Sequence, residues 1–229
     1  MQMQIKTRPD RRARNPALLC WGRNILFAIG IPALGYYAYA SADARIFQAY
    51  QRRQFEQAVK QLTIGSPIDQ TSNTQTPIEV LSAQVARSRV VGFDAPGHPG
   101  SVIGQIEIRK IGLAVMILEG ADNRSLRRAV GHIPDTAPLG QPGNVGIAGH
   151  RDTFFRDLRK IAKNDEITLT TLTGSFRYVV DFSEVVEPDD REVLDPSSDA
   201  ILTLVTCYPF SYVGPAPQRL IVRAHMIPE

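Results

Sequence analysis

Residues 24–42 hold nineteen consecutive positions without a charged side chain, and Ile25, Leu26, Phe27, Ile29, Ile31 and Leu34 make the run strongly apolar. A helix of that length crosses the hydrocarbon of a bilayer, so the run divides the chain before any other feature is weighed. Pro32 lies inside it; proline damages a soluble helix but is tolerated in a membrane span. Tyr36, Tyr37 and Tyr39 stand near its C-terminal end, where amphipathic rings favour the interface. Lys6, Arg8, Arg11, Arg12, Arg14 and Arg23 precede it against the single acid Asp10, and such a basic flank stays on the cytoplasmic side. The expected layout is a cytoplasmic basic tail over 1–23, a transmembrane signal anchor over 24–42 and an exported remainder, single-pass at the cell membrane. Small residues at 38–42 also resemble a cleavage site, but a 23-residue basic leader is long for a signal peptide and favours a retained anchor.

The formal net charge of +3 belongs to that leader, because the other 206 residues carry 20 basic and 22 acidic side chains. A nucleic-acid partner needs a basic patch on the folded domain, and none is expected here. Past the span, residues 43–62 mix Arg45, Arg52, Arg53, Glu56 and Lys60 with Ile46, Phe47, Tyr50, Phe55 and Val59, a helical pattern. Residues 65–76 are rich in Ser, Thr, Gln and Asn, and Pro96, Gly97, Pro99 and Gly100 form a second break. A juxtamembrane helix and linker therefore fill 43–100, and the folded domain runs over 101–229. In that domain strands are expected over 103–109, 114–118, 144–148, 166–171, 176–186, 200–206 and 219–226, with short helices over 123–130 and 153–161. So many short strands with few helices predict an all-β domain with short helices, closed into a barrel of seven to eight strands.

Chemistry concentrates at the end of one strand. Cys20 precedes the membrane run and Cys207 follows it, so the bilayer keeps the two thiols apart and an exported Cys207 has no disulfide partner. Ile201, Thr203, Val205 and Cys207 share one strand face by their spacing of two, with Leu202, Leu204 and Thr206 on the other. The Pro/Gly-containing stretch 208–218 then interrupts the strand, and Arg219 opens the next one, so a hairpin returns Arg219 to the rim that bears Cys207. A thiol at such a rim can attack a carbonyl, while a histidine moves protons and a guanidinium holds an oxyanion. His98, His132 and His225 lie in a loop, a connection and near the C-terminus, and read as surface or packing residues. Arg223, four residues after Arg219, is the rival arginine on the same face. Asp152 reads as a cap for the next helix, and Phe154, Phe155 and Leu158 as core.

Thr203-Leu204-Val205-Thr206-Cys207 matches the T-L-x-T-C signature of the sortases, Ala148-Gly149-His150-Arg151-Asp152 resembles their histidine turn, and Arg219 stands where their arginine does. Over 101–229 the chain therefore resembles a sortase; the compact domain and the histidine turn look like those of a class D or class E member, and the Asp-Pro-aromatic lid motif of pilus-assembling members is not matched by Asp94-Ala95-Pro96. The resemblance implies a sortase-type barrel and a thiol protease turned transpeptidase. Cys207 would cut an L-P-x-T-G-like sorting signal after its threonine through a thioester. His150 would handle protons, Arg219 would hold the oxyanion or the substrate backbone, and the Thr206 backbone would help at the oxyanion. It also implies partners: proteins bearing C-terminal sorting signals, and an amine acceptor from a peptidoglycan precursor or another protein, hence cell-wall anchoring.

Two alternatives bound that reading: an L,D-transpeptidase-like peptidoglycan acyltransferase, whose S-x-G-C-x-R signature is absent around Cys207, and an anchored barrel that binds peptides without turning them over. No cofactor is expected. Calcium occurs in some sortases, but Glu187, Asp189, Asp190 and Glu192 read as a surface charge run, so no metal is assigned.

Overall fold

The computed structural model describes residues 16–64 and 97–228; residues 1–15 of the tail expected over 1–23, and residues 65–96 of the helix and linker expected over 43–100, with the Asp94-Ala95-Pro96 segment among them, lie outside the described residues. The chain forms two compact units, Met1–Asp43 and Ala44–Glu229, and helix α1 (Pro16–Ile64) contributes to both. In the first unit α1 continues through Pro32, and Trp21, Leu26, Ile29, Leu34, Tyr36, Tyr37 and Tyr39 are all strongly exposed. Large apolar side chains in that number are not left to water by a soluble helix. The stretch Asn24–Gln61 is long and apolar enough to cross a membrane.

In the second unit the end of α1 packs on the wall of a β-domain. Phe55 and Ala58 bury against Met116, and the Gln48 amide bonds two backbone groups, accepting from Met116 N at 2.9 Å and donating to Arg128 O at 2.7 Å. The Arg128 guanidinium lies 5.5 Å from the centre of the Phe47 ring.

Eight strands make the domain: β1 (Val102–Ile108), β2 (Leu113–Glu119), β3 (Val130–His132), β4 (Gly143–Gly149), β5 (Glu166–Thr170), β6 (Ser175–Val186), β7 (Ala200–Tyr208) and β8 (Gln218–Ile227). They close into a barrel in the order β1-β2-β3-β4-β7-β8-β6-β5. All neighbours are antiparallel except β2 with β3 and β4 with β7. Alternation explains closure: Ile106 and Ile108, Val145 and Ile147, Ile167 and Leu169, Leu202 and Leu204, and Val222 and Ala224 all turn inward to one core. Each fully buried Val, Leu or Ile side chain in that set contributes about 1.5–3 kcal/mol. Tyr178 fills the same core with 0% exposure, and its hydroxyl has no hydrogen-bond partner among the described residues.

The expected barrel is present, with the strand count at eight. β3 was not expected, because three residues give no alternation to read. It bears His132, which belongs to a strand and not to a connection. The short helix expected over 123–130 is α2 (Asn123–Arg128), capped by Asp122, whose side chain accepts from Arg124 N and Ser125 N. The helix expected over 153–161 is instead a turn followed by a 3-10 segment, Arg156–Lys160. Its apolar spacing holds nonetheless, since Phe155 and Leu158 are 0% and 1% exposed and Phe154 packs beside them.

Candidate active site

Two strand pairings bring the site together. Cys207 on β7 stands directly opposite Arg219 on β8. Such cross-strand neighbours have Cβ atoms about 5 Å apart. Both side chains lie on the outer face, because their neighbours Thr206 and Leu220 are buried inside. On the other side of β7, Gly149 at the end of β4 pairs in parallel with Thr206. His150 is the next residue, so it leaves β4 at the level of Cys207 on β7. Cys207, His150 and Arg219 are all half-buried, screened in part from water yet open to a ligand.

Local chemistry fixes the histidine turn. His150 O accepts from Thr153 N and Phe155 N at 3.3 and 3.1 Å, which folds the chain back sharply after β4. Glycine is required just before it: a Cβ on Gly149 would lie 2.6 Å from the Phe155 ring. Thr206 joins the two strands, donating its hydroxyl to Gly149 O at 2.8 Å while 2% exposed. Its side chain thus locks the spacing between the histidine and cysteine strands.

The remaining candidates separate clearly. Arg223 pairs across from Thr203, four residues and about 13 Å down the strand from the level of Cys207, and its guanidinium donates to Val193 O at 2.9 Å. His132 is held by Glu119 at 3.1 Å and His225 by Asp181 at 2.7 Å, and His98 is exposed. Asp152 caps no helix: the 3-10 segment after it has no side-chain cap, and the carboxylate sits 3.5 Å from Arg151 Nε. Among the described residues no group of three or more histidine, cysteine or acidic side chains could hold a metal.

One residue had no role in the sequence reading. Arg151 is 7% exposed and its guanidinium donates to Pro209 O, Tyr212 O and Gly214 O at 3.0, 2.8 and 2.9 Å. Those carbonyls belong to the connection between β7 and β8, the same connection that separates Cys207 from Arg219. The Tyr212 ring completes the clamp, 6.0 Å from the guanidinium. An arginine serves here because its planar fork reaches several acceptors at once. The only local signal was an arginine directly after the histidine.

A second layer holds the outer face below the thiol. Asn144 donates to Val193 O and Asp195 O at 3.1 and 3.0 Å and accepts from the Thr203 hydroxyl at 2.6 Å. The segment between β6 and β7 is thereby fastened across β4, β7 and β8.

Residues 106–227 match the family model for the sortase domain, more than half of the chain. This chain belongs to the sortase family. It is 38% identical over 124 residues to Sortase D of Bacillus subtilis (strain 168), covering 54% of this chain and 63% of that protein. It is 28% identical to Sortase A of Listeria monocytogenes over 62% of this chain and 66% of that protein. The chain spans less than two thirds of the length of these curated relatives. Among solved structures it resembles the Clostridium perfringens Sortase D5 transpeptidase, with a TM-score of 0.57, 28% identity, and coverage of 77% of this chain and 98% of that one. The eight-stranded closed barrel is the sortase fold.

Proposed function

We propose that this sortase is a membrane-anchored cysteine transpeptidase. It cleaves an L-P-x-T-G-like sorting signal after the threonine and transfers the acyl group to an amine of the cell wall or of another protein. The observation that best supports this reading is the pairing of Cys207 with Arg219, with His150 one residue beyond the Gly149–Thr206 pair. The Cys207 sulfur attacks the threonine carbonyl, and the tetrahedral oxyanion is held by Arg219, a permanent cation with several donors. Arg219 already donates to Ala216 O and Gln218 O through Nη1 at 3.3 and 2.9 Å, which leaves its other nitrogens for substrate. His150 protonates the leaving amine as the C–N bond breaks, giving the Cys207 thioester, and then accepts a proton from the incoming amine. Thr206 assists at the oxyanion through its backbone.

The apolar stretch of α1 is the anchor, with the basic leader cytoplasmic and the barrel outside. Sorting-signal proteins and amine acceptors meet there. The test is incubation of the full chain in detergent with a Leu-Pro-x-Thr-Gly peptide and a free amine, with products identified by mass. The expected product is the amine joined to the threonine carboxyl. Acylation by a peptidoglycan stem peptide alone, with no cleavage of any sorting peptide, moves the assignment to an L,D-transpeptidase-like reaction. Binding of the peptide without turnover moves it to a non-catalytic module.

A further inference from the structure

A cavity of about 490 Å³ opens beside the candidate active site, lined by Arg151, Asp152, Arg156 and Arg159 from the histidine turn and by Tyr208, Pro209, Phe210 and Ser211 after the cysteine. Its walls therefore come from the segments that follow His150 and Cys207 in the chain. Its lining holds three arginines and one acid. Arg151 and Asp152 are already paired at 3.5 Å, and the donors of Arg151 are taken by three carbonyls. Asp157, outside the lining, is committed to Lys160 at 2.7 Å and lies 3.9 Å from Arg159. Arg156 forms no ion pair within 4 Å among the described residues, although its charge, like that of Arg159, acts on the Asp157 carboxylate. Both Arg156 and Arg159 are exposed. The Tyr208 and Phe210 rings meet edge to face at 6.1 Å and form an apolar wall beside them.

We propose that this cavity binds the acceptor substrate and selects an amine that carries a carboxylate, with Arg156 and Arg159 as its anion partners and the two rings packing its aliphatic chain. The inference rests on the transpeptidase reading. Its chemistry fits the second half of that reaction. The acceptor nitrogen bonds to the acyl carbon, the C–S bond breaks with its electron pair returning to Cys207, and the amine proton passes to His150. Only a neutral amine can attack, and a cationic cavity disfavours the protonated form. A carboxylate on the acceptor restores attraction to that cavity.

Lysine and lysinamide, both with the α-amine acetylated so that only the ε-amine can react, differ only in that carboxylate. The full chain in detergent is given a sorting-signal peptide and both amines at equal concentration, and the ratio of the two ligation products is read by mass spectrometry. A ratio taken within each variant divides out any change in acylation. The expected preference is about fivefold for lysine, the size of one partly exposed charge pair. It collapses in Arg156→Gln/Arg159→Gln and persists in Lys163→Gln, which lies outside the cavity. An equal ratio in the unmodified chain, or a preference that survives the double substitution, overturns the proposal. Absence of cleaved peptide with either amine is failure of the transpeptidase reading instead. Saturation-transfer NMR with lysine alone then tests the cavity: a signal lost in the double variant upholds the site, and no signal in the unmodified chain overturns it.

Discussion

Replacing Arg151 with methionine removes a buried fork that donates to Pro209 O, Tyr212 O and Gly214 O. Hydrogen bonds to a charged group contribute about 1.5–3 kcal/mol each, so three taken singly overstate the loss. The freed carbonyls lie in a surface connection and regain water, and neighbouring bonds do not add. The net cost expected is about 2–3 kcal/mol, felt as local opening of residues 209–217 more than as global unfolding. At about 1.4 kcal/mol per tenfold, amide protection there falls by roughly 30- to 140-fold. The reporter is Tyr212 N, which donates to Pro209 O at 3.3 Å, followed by hydrogen exchange over 208–218 with 143–149 as the internal control. Turnover falls with it, since the loop sets the register of Cys207 against Arg219. Arg151→Lys restores only part of either, because an ammonium cannot reach three divergent carbonyls. Unchanged exchange over 208–218 together with unchanged turnover in Arg151→Met refutes the positioning role.

Three further outcomes follow from the same contacts. Tyr178→Phe leaves stability unchanged or raises it by up to about 1 kcal/mol in chemical denaturation, because it removes a buried hydroxyl that has no partner. Asn144→Leu lowers stability by about 2–4 kcal/mol by orphaning Asp195 O and the Thr203 hydroxyl and leaving Val193 O to Arg223 alone, and it loosens the segment between β6 and β7 in hydrogen exchange. The Asp122 carboxyl is held below the usual aspartate range by the Ser125 hydroxyl and by the backbone N–H groups of Arg124 and Ser125. A lowered folded-state value adds stability above the unfolded value, lost as pH falls through the folded one. Thermal melts should therefore show Asp122→Ala less stable than the parent at neutral pH, with the gap closing below about pH 4.

Much of this molecule is legible from strand parity. The alternation of Leu202 and Leu204 with Thr203 and Val205 puts Cys207 on the outer face, and the Pro/Gly-containing connection brings Arg219 back opposite it. That pairing is encoded locally, within one hairpin. What was not legible depends on partners far away in sequence: Arg151 reaches carbonyls 58 to 63 residues on, and Asn144 reaches carbonyls 49 and 51 residues on. No periodicity reports such contacts. Asp152 was misread because the turn at His150 tightens into a 3-10 segment with no side-chain cap, which leaves its carboxylate to the neighbouring arginine. β3 escaped notice because its pairing with β2 and β4, not its own three residues, defines it.

The most direct test of the transpeptidase account is the intact mass of the chain after brief exposure to a sorting-signal peptide without an amine acceptor, followed by peptide mapping. The account predicts an acyl adduct ending at the threonine, located on Cys207, released by hydroxylamine and absent in Cys207→Ala. No adduct on Cys207 while the peptide is still cleaved, or full cleavage by Cys207→Ala, contradicts it.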